Sequence, residues 1–171
     1  MYISKTKVSY PITFDNDQAF IRRSLSIFAT ENDDNSYISS LLESATEQTE
    51  GQIKQDIAYT NNTITFNDFS GDTLVIPQGN FNAITNIINL DTSTLITSYD
   101  TVKNYNNFII EFDSSFDCDS LSLNFTTGWD GETDFPKSLK QAILAMTRYL
   151  YDNDEAYLKV WENLCEQYKL L

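Results

Sequence analysis

The sequence predicts an α+β fold: an N-terminal helix pair and C-terminal helices packed as a small bundle, with an antiparallel β-sheet or hairpin region between them. Three observations predict it. Apolar residues recur every three or four positions through residues 36–57, and again after Pro136. Between about 58 and 126 the period falls to two and helix formers thin out. Helices and strands come in runs rather than in alternation, which separates them into layers. The 171 residues suit one domain, 1–153, followed by a helical arm, 154–171.

The elements follow in chain order. Val8, Tyr10, Ile12 and Phe14 alternate with polar neighbours, so residues 1–14 read as extended, and Pro11 restricts any strand there to a sheet edge. Asp15 or Asp17 is the expected cap of a short helix whose stripe is Phe20, Ile21, Leu25 and Phe28. A polar turn over 31–36 leads into a long helix, 36–57. Its stripe is Ile38, Leu41, Leu42, Ala45, Thr49, Ile53 and Ile57, with Glu43, Glu47 and Glu50 off that stripe. Strands are expected at 63–66, 73–76, 83–89, 95–99, 107–112 and 120–126. Ser70-Gly71-Asp72 reads as a hairpin turn between the first two, and residues 104–107 and 113–117 as later turns.

Pro136 opens the next helix, where its missing N–H is no loss. Leu139, Ala142, Ile143, Met146, Tyr149 and Leu150 form its apolar face, and residues 152–154 end it. The last helix, about 154–170, aligns Tyr157, Trp161, Leu164, Tyr168 and Leu171 on one stripe. A helix this short is marginal alone and must pack on something. Its own domain and a partner protein are both open as the surface it covers, since Tyr and Trp are enriched at interface hot spots.

Composition excludes several kinds of chemistry. There is no histidine, so Ser-His and Cys-His nucleophilic catalysis and imidazole metal sites are absent. Two cysteines, Cys118 and Cys165, are too few for a structural zinc site. No apolar run approaches the roughly 20 residues that span a bilayer, and Met1-Tyr-Ile-Ser-Lys-Thr-Lys7 lacks the apolar run of a leader. Synthesis in the cytoplasm, without membrane contact, is the expectation.

The formal net charge is −14, and it is unevenly placed. Residues 26–136 hold Lys54 and Lys103 against 18 carboxylates. A body this acidic repels phosphate and does not read nucleic-acid sequence. Asp113, Asp117 and Asp119, and Asp130, Glu132 and Asp134, are the carboxylate groupings from which two-carboxylate hydrolysis or calcium binding would be built. Both groupings fall where turns are expected, which is the ordinary place for Asp. No cofactor motif is present, and no glycine loop cradles a phosphate.

The segment Leu121-Ser-Leu-Asn-Phe-Thr-Thr-Gly-Trp129, followed by the Pro136-initiated helix with Lys140-Gln-Ala-Ile143, resembles the C-terminal half of tailed-bacteriophage head–tail connector (adaptor) proteins. Upstream, Leu74-Val-Ile-Pro77 with Phe81-Asn-Ala-Ile-Thr-Asn-Ile87 is similar to a strand pair of that family, as is the opening from Pro11 through the long helix. The resemblance spans about residues 10–153. It implies a non-enzymatic virion protein at the head–tail junction: a homo-oligomeric, dodecameric ring beneath the portal protein that extends the DNA channel and joins capsid to further neck or tail proteins. DNA would pass through without sequence-specific binding. In that setting Tyr157, Trp161, Leu164 and Tyr168 are candidate contacts to the portal or a neighbouring copy. Glu43, Glu47, Asp113 and Asp117 are candidate acidic channel or surface positions. The competing reading is a calcium- or carbohydrate-binding β-rich surface module, suggested by the Asn/Thr/Tyr-rich middle.

Overall fold

The computed structural model describes residues 2–26, 35–104, 107–131 and 134–169. Phe28, the acidic turn 31–34, the middle of the turn 104–107, Glu132 and Leu171 lie outside the described residues. The fold mixes helices with an antiparallel sheet in two compact units, one of Met1–Val8 with Ala58–Gly128, the other of Ser9–Ile57 with Trp129–Leu171.

The second unit holds α1 (Phe14–Ser24), α2 (Asn35–Ile53), α3 (Lys137–Asp152) and α4 (Glu155–Glu166) around one buried cluster. The cap of α1 is Thr13 rather than Asp15 or Asp17: its hydroxyl accepts from the Asn16 N–H at 3.4 Å. Ile12 and Phe14 are both buried, so the chain turns into helix before it reaches the aspartates. Asp17 instead pairs with Lys140 at 2.6 Å. Phe20, expected in the apolar stripe, is exposed, whereas Ile21 and Leu25 are buried.

Helix α2 stops at Ile53, earlier than the apolar period suggests, because Lys54 takes φ +58°. Ile57 continues the period only because the extended segment after the helix also enters the core. Its N–H donates to Glu50 Oε1 at 2.8 Å, closing the turn. Asn153, at φ +55°, ends α3 by donating its N–H to the Tyr149 carbonyl at 2.7 Å. Asp154 then caps α4, accepting from the Ala156 N–H at 2.9 Å.

The sheet unit contains β1 (Tyr2–Ser9), β2 (Tyr59–Ile76), β3 (Phe81–Asn89), β4 (Thr94–Leu95), β5 (Tyr99–Lys103) and β6 (Phe108–Thr127), in the order β1-β2-β6-β3-β4, with β5 also beside β6. Two expected turns are absent as turns. The segments 63–66 and 73–76 belong to one strand, β2, and 107–112 and 120–126 to another, β6. The expected strand 95–99 is likewise replaced by β4 and β5 on either side of a connection.

The two segments of turn composition face each other. Ser70 pairs with Asp117 and Gly71 with Phe116; then residues 112–115 bulge opposite Asp72 before Thr73 meets Glu111. Turn-forming residues on both strands let the ribbon bend, and its ladder resumes in a shifted register beyond the bulge. The bend is large. Phe108 and Phe125 would stand about 55 Å apart in a straight strand, yet their ring centroids are 5.1 Å apart. The ribbon folds back on itself, and Phe69, Phe112 and Phe116 fill the corner with ring centroids 5.0–5.7 Å apart.

Inside this folded ribbon, Ile64, Leu123 and Ile87 occupy one row across three strands. The opposite face is uncharged and polar. Thr63 Oγ1 donates to Asn124 Oδ1 at 2.5 Å, and Asn124 Nδ2 to Asn86 Oδ1 at 2.6 Å. Period-two alternation here separates an apolar face from a polar one, and in the central strand β6 both are covered, Ser122 and Thr126 being buried along with Leu121, Leu123 and Phe125.

Candidate functional site

The aromatic stripe of the last helix is turned mainly inward. Trp161 is 8% exposed, and its Nε1–H donates to Thr49 Oγ1 at 3.0 Å. Leu164 and Tyr168 are half-buried against the same helical core. Tyr168 shares a hydrogen bond between its hydroxyl and Ser138 Oγ at 2.6 Å, and its carbonyl accepts from Gln55 Nε2 at 2.8 Å. Tyr157, half-buried, lies under the Arg148 guanidinium at 4.5 Å from the ring centroid. Of the two surfaces the sequence left open for this helix, its own domain takes most of the stripe. The helix's outer face carries Val160, which is exposed.

The four singled-out carboxylates are all exposed. Glu43 and Glu47 stand one turn apart on α2, and Glu43 borders a pocket with Tyr10, Phe14 and Ser39. Asp113 and Asp117 flank the bulge of β6. Asp117 lines an open cleft with Asp68, Asp91, Cys118 and Asp119. The Asp119 N–H donates to Asp91 Oδ2 at 2.6 Å. Among the described residues no group of three or more His, Cys, Asp or Glu side chains is arranged to hold a metal ion.

Both thiols are buried and free. Burial pushes Cys165 up to about 11. Cys118 is raised first by burial, then by the carboxylates of Asp91, Asp119 and Asp117. Neither is a thiolate at neutral pH, so neither is an activated nucleophile. The sign of the linkage is fixed: as pH rises above 9.0, the unfolded thiol ionises first and draws the equilibrium toward unfolding. Native stability therefore falls between about pH 9 and about pH 11, and Cys165→Ala flattens that fall; denaturant midpoints across this window check it.

Sequence reasoning missed one surface. Ile109 of β6 pairs with Val75 of β2 on one side and Val102 of β5 on the other. Directly paired residues share a face, so these three form an apolar row on the outside of the sheet, with Val75 52% and Val102 43% exposed. One row along the same face, Glu111 stands between Thr73 and Asp100. Each of these residues is unremarkable in its own segment, and only the strand register brings them together.

No family model and no curated protein matches the sequence. Solved structures do. A chain of the virion of a native gene transfer agent (GTA) particle matches with a TM-score of 0.77 at 16% identity, over 100% of this chain and 96% of that one. A chain of the neck of the native GTA particle, computed with C12 symmetry, gives 0.75 at 15% identity over 98% and 96%. One from the neck of the empty particle, computed with C6 symmetry, gives 0.73 at 17% over 98% and 96%. At these identities the likeness is one of fold, and it covers nearly all of each chain.

Proposed function

We propose that this chain is a structural, non-enzymatic component of a phage-like virion: a head–tail adaptor whose copies form a twelve-membered ring beneath the portal, extend the DNA channel and connect the capsid to the tail. The observation that carries the reading is the near-complete, two-way match of fold to chains of a GTA virion and its neck, the latter computed with C6 and C12 symmetry. The chemistry agrees. The chain has no histidine, and its two thiols are buried, with their acidities weakened. The protein works by shape and contact.

In this reading α4 faces the portal or a neighbouring copy. Trp161 anchors the helix to its own core, while Tyr157, Leu164 and Tyr168 offer their half-buried edges at the contact. Glu43, Glu47, Asp113 and Asp117 line the conduit. Carboxylates there repel phosphates within a Debye length of about 8–10 Å and keep DNA from adhering as it passes. The protein is made in the host cytoplasm and ends in the virion.

Imaging of the purified chain, alone and with the portal protein of its own particle, tests this. The expected result is a twelve-fold ring seated on the portal, with the four carboxylates toward the lumen. A chain that stays monomeric and ignores the portal overturns the reading. A ring with all four carboxylates on its outer wall removes the channel role alone.

A further inference from the structure

Strand β1 is unusual within the sheet unit. Every side chain from residue 3 to residue 8 is exposed, including the aliphatic Ile3 (42%) and Val8 (55%), and none of them joins a buried cluster. Side chains alternate along a strand, so Ile3, Lys5 and Lys7 share one face: an apolar position followed by two cationic ones. Apart from Lys103, these lysines are the cations of the sheet unit, whose carboxylates all lie between β2 and β6.

The outer face of β2, β6 and β5 presents the complementary order. Its first row is apolar, Val75–Ile109–Val102, and the next sets two exposed carboxylates, Glu111 and Asp100, directly opposite each other. Like charges in directly opposed positions repel, and a cation laid over both relieves the repulsion. The spacing from Ile3 to Lys5 equals the spacing from one row to the next, because both are two residues of extended chain.

We propose that β1 of one copy lies on this outer face of the next copy, with Ile3 on the Val75–Ile109–Val102 row, Lys5 over Asp100 and Glu111, and Lys7 following one row further along. The inference rests on the ring reading above and names the contact that would build the ring. The two surfaces differ, so the contact is heterologous, the kind that closes into a ring when its rotation closes. Pairing of β1 with its own β2 is retained.

The test is sedimentation velocity on the full chain with charge-reversed variants. Lys5→Glu with Lys7→Glu weakens self-association about ten-fold or more, as does Asp100→Lys with Glu111→Lys, while circular dichroism shows each variant still folded. Mixing the two variants one to one restores assembly, because each reversed β1 then meets a reversed face on alternate copies. If the natural chain assembles and the reversals leave it unaffected, or if mixing fails to restore assembly, the proposed contact is wrong and the ring reading stands. If the natural chain never self-associates, alone or on its portal, the ring reading falls and takes this contact with it.

Discussion

Gly128→Ala lowers the melting temperature by roughly 10 °C or more, the largest effect expected of any single methyl group in this chain. Two separate costs add at this position. Gly128 sits at φ +85°, where a Cβ is strained by about 1–2 kcal/mol. A Cβ built there would also lie 2.0 Å from the Ala58 carbonyl oxygen and 2.6 Å from its carbon. Backbone cannot rotate out of the way as a side chain does, so the strands must shift, at about 1–3 kcal/mol. The shift would disturb the ladder where Thr60 pairs with Thr127 and where the Gly128 N–H reaches the Asn80 carbonyl at 3.1 Å. Gly131→Ala separates the two costs. It has nearly the same φ, +84°, with nothing within 4 Å of the added carbon, so only the strain term, about 1 kcal/mol, remains. Gly51→Ala goes the other way, raising stability by up to about 1 kcal/mol, because it is an open helical position. Thermal unfolding of the three variants should rank them in that order. A Gly128→Ala chain as stable as Gly131→Ala would mean that the Ala58 carbonyl does not press on this residue.

That glycine also shows what kind of information the sequence carries. Thr127-Gly128-Trp129 is legible as the end of a strand because a turn needing positive φ leaves a glycine behind. Helices were legible for a similar reason: Ile38, Leu42, Ala45, Thr49 and Ile53 repeat the helical period and are all buried. The sheet was legible in its alternation and illegible in its connections. Ser70-Gly71-Asp72 and residues 113–117 have turn composition, which predicts the end of a strand at each. In the structure they oppose one another, and one bulge bends both strands together. Local composition cannot distinguish a turn from a corner whose partner lies some 40 residues away. The same register, offset across that bulge, sets Val75 and Val102 on either side of Ile109. A slip of one residue would turn each of them to the other face. A surface that exists only through register has no signature within any single segment.

Trp161→Ala is expected to cost about 3–5 kcal/mol, which separates a core role from a surface role for the residue most readily taken for a docking anchor. Trp161 is 8% exposed, packed among the α2 and α3 side chains, and its indole N–H is held by Thr49 Oγ1 at 3.0 Å. Thr49 donates its own proton to the Ala45 carbonyl at 2.7 Å, so its hydroxyl faces the indole with lone pairs. Trp161→Phe keeps much of the volume, loses one hydrogen bond and costs about 1–2 kcal/mol. Thr49→Val leaves the indole N–H buried without an acceptor and costs about 1–3 kcal/mol. The combined Trp161→Phe, Thr49→Val chain costs less than the two single changes added together, because the second removes a group that the first has already left without its partner. Melting temperatures of the four variants, read beside their binding to the portal protein, decide the matter. A Trp161→Ala chain that melts normally and fails to bind would make the tryptophan a portal contact and would free α4 from the core. A chain that melts early, with Trp161→Phe binding as the natural protein does, leaves the contact to the exposed margin of the helix around Tyr157 and Val160.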